Sequence, residues 1–179
     1  MNEIDVQIDG ARFREVLGHL PTGVTVVTAN TANGAIGMSS NSVASVSLDP
    51  PLILFCPAKT STTWPKIHES GAFCVNVFAA HHAEASRRFA RSGVDRFAGI
   101  AWHERPTGPG LDDAVAWIEC GIEAEHDAGD HLIVVGAVLS LEVREGEIDP
   151  LVFFRGRYGS FVSAASTGHD DTSTTAIVP

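Results

Sequence analysis

Apolar runs of strand length dominate this chain, and helical periodicity is confined to short stretches. Phe13, Val16, Leu17 and Leu20 recur at helical spacing and predict a short N-terminal helix over Phe13 to Leu20 with one apolar face. The β-branched run Pro21 to Ala29 and the run Leu52 to Cys56 both read as strands. Trp64 to Ser70 predicts a short helix ending at Gly71, and Phe73 to Phe78 predicts a core strand. The alanines and the Glu84 to Arg88 spacing make His82 to Phe89 another helix. Asp95 to Pro109 has no periodicity and reads as loop. Two long strands follow, Trp117 to His126 and His131 to Val143, joined by Asp127-Ala128-Gly129-Asp130, a hairpin turn by composition. Leu151 to Phe154 and Tyr158 to Val162 complete the set. So many strands in meander order, with only short helices, predict a mainly β fold: a closed or partly split antiparallel barrel.

One polar stretch interrupts the pattern. Gly37 to Pro51 places five serines and an asparagine between apolar strand-like runs and stops at a double proline. Small hydroxyls and backbone N–H groups approach a flat or phosphorylated ligand closely. A serine-rich loop that bonds only its own backbone is the competing reading. Downstream, Lys59 with Ser61, Thr62 and Thr63 forms a hydroxyl-rich cluster with one cation just ahead of the Trp64 helix, a combination suited to an anion.

Composition narrows the class. A chain of 179 residues, 44% of them hydrophobic, suits one domain with a real core. Residues 11–162 carry that domain, residues 1–10 are an N-terminal extension, and residues 163–179, rich in Ser, Thr, Asp and Ala, read as a disordered tail. The net charge of -10 argues against a nucleic-acid partner. The acidic start lacks the features of a signal peptide, and the longest apolar stretch, Leu132 to Leu141, is too short to span a bilayer, so a cytoplasmic protein without a membrane partner is expected. Cys56, Cys74 and Cys120 are odd in number and widely spaced in apolar contexts, which favours free thiols. Adjacent His81 and His82 read as cap-region histidines, and no metal is expected.

Standard nucleotide motifs are missing. Gly108-Pro109-Gly110 follows no strand and opens no βαβ unit, so it reads as a turn. Redox chemistry in such a chain comes from a cofactor held outside a dinucleotide fold.

A set of co-linear motifs then carries a resemblance. Thr22-Gly23-Val24-Thr25, Gly37 through Pro51, Lys59 with Ser61 and Thr63, Val75-Asn76-Val77, Arg96-Phe97, Gly129-Asp130-His131 and Arg155-Gly156-Arg157-Tyr158 look like the short-chain flavin reductases of two-component flavin monooxygenases. The similarity runs in order over residues 11 to 162. It implies an antiparallel split barrel, a homodimer, FMN or FAD as flavin, NADH or NADPH as donor, and a separate monooxygenase as recipient of reduced flavin.

The same resemblance implies site residues. Gly37, Met38, Ser39, Asn41, Ser42 and Ser45 would meet the flavin ring, with Cys56, Pro57 and Ala58 beside them. Lys59, Ser61, Thr62 and Thr63 would meet its phosphate, with Arg88 and Phe89, next to Arg87, as a second wall. His131 is the implied catalytic residue, ordering the nicotinamide together with Phe154, Arg155, Gly156 and Tyr158. A histidine that merely bonds Asp130 to stabilise the turn is the plainer alternative. Val43 stands where the family more often has an aromatic residue. Two further readings remain open at this point: a flavin-binding or storage protein without turnover, and a haem-binding or purely structural split barrel.

Overall fold

A computed structural model describes residues 8–161, so the expected tail and most of the N-terminal extension lie outside the described residues. The chain begins with α1 (Gly10–Leu17), β1 (Thr22–Gly23), β2 (Thr25–Thr31), β3 (Gly34–Ser40), β4 (Ala44–Leu48) and β5 (Pro51–Phe55). Then come α2 (Trp64–Ser70), β6 (Ala72–Val77), a 3₁₀ turn (Ala80–His82), α3 (Ala83–Ala90), β7 (Trp102–His103) and β8 (Gly110–Leu111). The long hairpin β9 (Ala116–Ala128) and β10 (His131–Val143) leads to β11 (Leu151–Phe154) and β12 (Arg157–Ser160).

Seven strands form one antiparallel sheet in the order β3-β2-β6-β9-β10-β5-β4. Its outermost strands, β3 and β4, are consecutive in the chain, so the sheet curls into a barrel whose split lies between them. A smaller sheet, β1-β11-β12, is continuous with β2 through Val24 and forms an arm at that side. Bulges between Val135 and Gly136 and between Val138 and Ser140 bend the long hairpin, which lets two 13-residue strands wrap around the core. No described helix is long and apolar enough to cross a membrane.

Both faces of β2 are buried. Val27 and Ala29 join Phe55, Trp64, Ile67, Phe73 and Val134 in one core, while Val24 and Val26 join Phe78, Phe89, Leu111 and Leu151 in another. The three cysteines are free thiols; burial pushes Cys74 and Cys120 up to about 12.

Three sequence expectations are corrected. The first helix starts earlier, because Asp9 caps it by accepting from the backbone N–H groups of Ala11 and Arg12, and it stops at Leu17, with Gly18 as its C-cap. The serine-rich stretch is largely strand: Gly37 to Ser40 ends β3, which pairs with β2, and Ala44 to Leu48 is β4, leaving Asn41 to Val43 as the irregular break. The segment Asp95 to Pro109 holds β7, paired with β8 in a two-stranded ribbon.

That segment is pinned from the inside. Fully buried Asn76 accepts from Leu111 N–H at 2.7 Å and donates toward Val26 O, Thr28 Oγ1 and Pro109 O. Thr28 Oγ1 in turn donates to Pro109 O at 2.7 Å. Gly108 lies so close that a Cβ there would come within 2.4 Å of Thr28 O, so the Gly108-Pro109-Gly110 turn is a packing device.

Candidate active site

The split supplies the polar edge. Gly37 O accepts from Arg96, so Gly37 turns its backbone away from β2, and the two-residue period of the strand turns Ser39 N–H and C=O to the same open edge. Asn41 is exposed at the break, and Ser40 Oγ lies 3.1 Å from Ser42 Oγ. Ser42 crosses the split, accepting from Cys56 N–H at 2.8 Å. Gly37 is glycine for packing: a Cβ would meet Phe89 at 2.8 Å and Thr28 at 3.1 Å.

Cys56, Pro57, Ala58 and Lys59 continue from β5 alongside the β9–β10 turn, with Leu132 N–H donating to Pro57 O and Lys59 N–H to Asp130 O. Lys59 Nζ lies 2.6 Å from Asp127, which holds that carboxyl below its ordinary range. The expected phosphate cation is therefore paired within the protein. Ser61 is also partly committed: its hydroxyl accepts from the N–H groups of Thr63 and Trp64 at the start of α2. Thr62 is exposed and makes no side-chain hydrogen bond among the described residues.

Arg96 is a second candidate cation near the same helix start. Its Nη1 donates to Gly37 O at 2.6 Å and Thr63 Oγ1 at 2.7 Å, and its Nε donates to Arg91 O. Among the described residues no carboxylate pairs with this guanidinium and Nη2 has no acceptor, although burial pushes its pKa down. It faces a pocket of about 280 Å³ shared with Thr62, Thr63 and Lys66. A partly desolvated cation with spare donors suits an anion. The sequence showed Arg96 only as part of a motif, because its contacts lie 59 and 33 residues away.

At the other end of β3, Tyr158 lines a cleft of about 270 Å³ with Ser39, Ser40 and Asn41. It also borders a larger groove of about 880 Å³ lined by Phe154, Arg155 and Arg157. Arg155 and Gly156, at φ 50° and 73°, make the two-residue turn between β11 and β12. His131 sits apart from this group, beside Ala58, and neither cleft includes it. Its Nδ1 lies 2.8 Å from Asp130, the turn contact named as the plainer alternative, and this bond holds Asp130 below its ordinary pKa.

Several implied ligands are placed otherwise. Phe89 is fully buried against Gly37 and Phe97 and forms no wall. Arg88 donates to Ala98 O, and Met38 packs inward with its sulfur accepting from Ser61. Ser45 lies exposed on β4. His81, His82 and Asp113 gather within 4.8 Å of one another. His82 Nδ1, however, accepts from Ala79 N–H, which leaves the ring proton on Nε2 and spends the ring as a helix cap. Burial and the neighbouring His81 push His82 down to about 4.

Residues 17–161 match the flavin reductase-like domain family. The chain belongs to this family. It is 48% identical over 153 residues to the reductase subunit HsaB of a flavin-dependent monooxygenase from Rhodococcus jostii, covering 84% of this chain and 77% of that protein. Its fold superposes on nitrilotriacetate monooxygenase component B from Mycobacterium thermoresistibile with a TM-score of 0.84 at 38% identity, covering 94% and 97% of the two chains. A NADH:FAD oxidoreductase of Streptomyces globisporus, solved with NAD and FAD fragments, gives 0.82 at 35% identity, covering 88% and 95%.

The residues present fit a flavin. The edge of this flavin reductase offers small side chains and unpaired backbone groups at Ser39, and the Arg96 pocket offers donors for a phosphate some distance along the same strand. Arg96→Ala should raise the flavin dissociation constant by about tenfold, since a charge-assisted contact contributes about 1.5–3 kcal/mol. Fluorescence titration of the folded variant checks this, and parent-like affinity would show that Arg96 serves the loop alone.

Proposed function

We propose that this flavin reductase transfers hydride from NADH or NADPH to FMN or FAD and releases the reduced flavin to a separate monooxygenase. The observation that carries the site assignment is the polar split between β3 and β4, with the Ser39 edge at the end of β3 and the Arg96 pocket further back along the same strand. When bound, the flavin supplies the hydride acceptor, its N5, which must lie about 3–3.5 Å from the nicotinamide C4.

The protein's own residues bind, orient and exclude water. Ser39 and Asn41 with the open strand edge would hold the ring, while Thr62, Thr63 and Arg96 would hold the phosphate. Tyr158, Arg155 and Arg157 line the groove suited to the nicotinamide nucleotide, and His131, bridged to Ala58 outside that groove, would reach the nicotinamide from the hairpin turn. No strong acid or nucleophile is required.

The active form is a homodimer in the cytoplasm, with no nucleic-acid or membrane partner. Phe13, Val16 and Leu17 on α1 are 55%, 50% and 46% exposed, and Leu139, Leu141 and Val143 on β10 are 66%, 69% and 71% exposed. Apolar surface of this extent on two elements calls for cover by another chain. Sedimentation at micromolar concentration should give twice the chain mass, and a fully active monomer would contradict the dimer.

Anaerobic stopped-flow reduction of bound FMN tests the function itself. His131→Ala should slow reduction at limiting NADH by roughly 10- to 100-fold, about 1.4–2.7 kcal/mol, with flavin affinity retained. An unchanged rate would leave the histidine a turn residue and move the nicotinamide contact to Tyr158 and the arginines. Retained flavin without any NADH or NADPH turnover in the parent would identify a storage protein.

A further inference from the structure

Three hydroxyls run in line from β12 through α3 to the edge of β3. Tyr158 Oη lies 2.9 Å from Ser86 Oγ, and Ser86 Oγ lies 3.0 Å from Ser39 Oγ. Ser86 is fully buried, and among the described residues its hydroxyl has no other partner. The Arg87 guanidinium lies 5.0 Å over the Tyr158 ring and helps fix the phenol against α3.

Each hydroxyl has one hydrogen to donate, so the row runs in one direction at a time. With Tyr158 donating to Ser86 and Ser86 to Ser39, the Ser39 hydrogen is held only by a 3.5 Å contact to Thr25 O and is free to turn toward an acceptor at the open edge. In the opposite direction Ser39 donates to Ser86, Ser86 donates to Tyr158, and Ser39 presents only lone pairs to the edge. A ligand that donates to the phenol oxygen favours the first direction, and one that accepts from it favours the second. Oxidised flavin offers an acceptor at N5, whereas reduced flavin carries an N–H there, so a reversible row suits both states without backbone movement.

We propose that Ser86 is a positioning residue through which occupancy of the Tyr158 end sets whether Ser39 donates or accepts, coupling nicotinamide binding to flavin binding. The proposal rests on the assignment of Ser39 to flavin and Tyr158 to nicotinamide. Such coupling is reciprocal and independent of turnover.

The test uses the full chain and oxidised FMN, titrated by fluorescence with and without saturating NAD⁺, which binds without reacting. In the parent, NAD⁺ should change the FMN dissociation constant by about fivefold or more. Ser86→Ala and Tyr158→Phe should each bring that factor to within about twofold of unity while FMN itself still binds. A lost serine that only weakened packing would lower thermal stability and leave the coupling factor intact. A parent-like factor in Ser86→Ala, or no coupling in the parent, would overturn the proposal. Ser39→Ala serves as the separate control: unaltered FMN affinity and coupling in that variant would show that flavin does not use the Ser39 hydroxyl and would overturn the proposal, while leaving the backbone-edge assignment standing.

Discussion

The hydrogen bonds of one buried amide, Asn76, tie the barrel to the segment that reaches the active site. Asn76 sits on β6 between β2 and β9, where its side chain has no access to water. A buried amide left without partners costs roughly 1–3 kcal/mol, so the chain must bring groups to it. Those groups come from β2 and from Pro109 and Leu111, at the far end of a connection running from α3. The bond set therefore fixes a long loop that has little regular structure of its own. Arg105 strengthens the attachment, pairing with Glu142 at 2.8 Å and stacking over Trp117.

Arg96 lies in the same connection. It reaches back to β3 and to the start of α2, joining two elements that flank the proposed phosphate position. The helix before the loop contributes from its buried face as well. Phe89 fills the space left by the missing side chain at Gly37, and Ser86, one turn earlier, meets Ser39. One short helix thus packs β3, the strand proposed to meet flavin, and links it to Tyr158. The split in the sheet is polar because β3 and β4 are the edge strands there and small hydroxyls line the break between them.

Much of this was legible in the sequence. Meander order and short helices predicted the barrel, the Asp127 to Asp130 turn predicted the hairpin, and the serine-rich stretch marked the edge where the split opens. Long-range pairings were less accessible. Lys59 looked like the phosphate cation because Ser and Thr surround it in sequence, yet folding brings Asp127, 68 positions downstream, to its ammonium. Phe89 was expected in a second wall of the flavin site, but the gap at Gly37 draws it into the core. The apolar face of α1 was read correctly as a stripe, and the described residues leave about half of it exposed.

If the Asn76 network holds the connection that carries Arg96 to the proposed phosphate position, flavin binding must respond to loss of the amide. The flavin affinity of Asn76→Ala, measured by titration well below the variant's unfolding midpoint, tests this most directly. The expected result is a stability loss of about 2–4 kcal/mol together with flavin binding weakened by roughly fivefold or more, although Asn76 lies inside the barrel wall. A destabilised variant that binds flavin as tightly as the parent would contradict it.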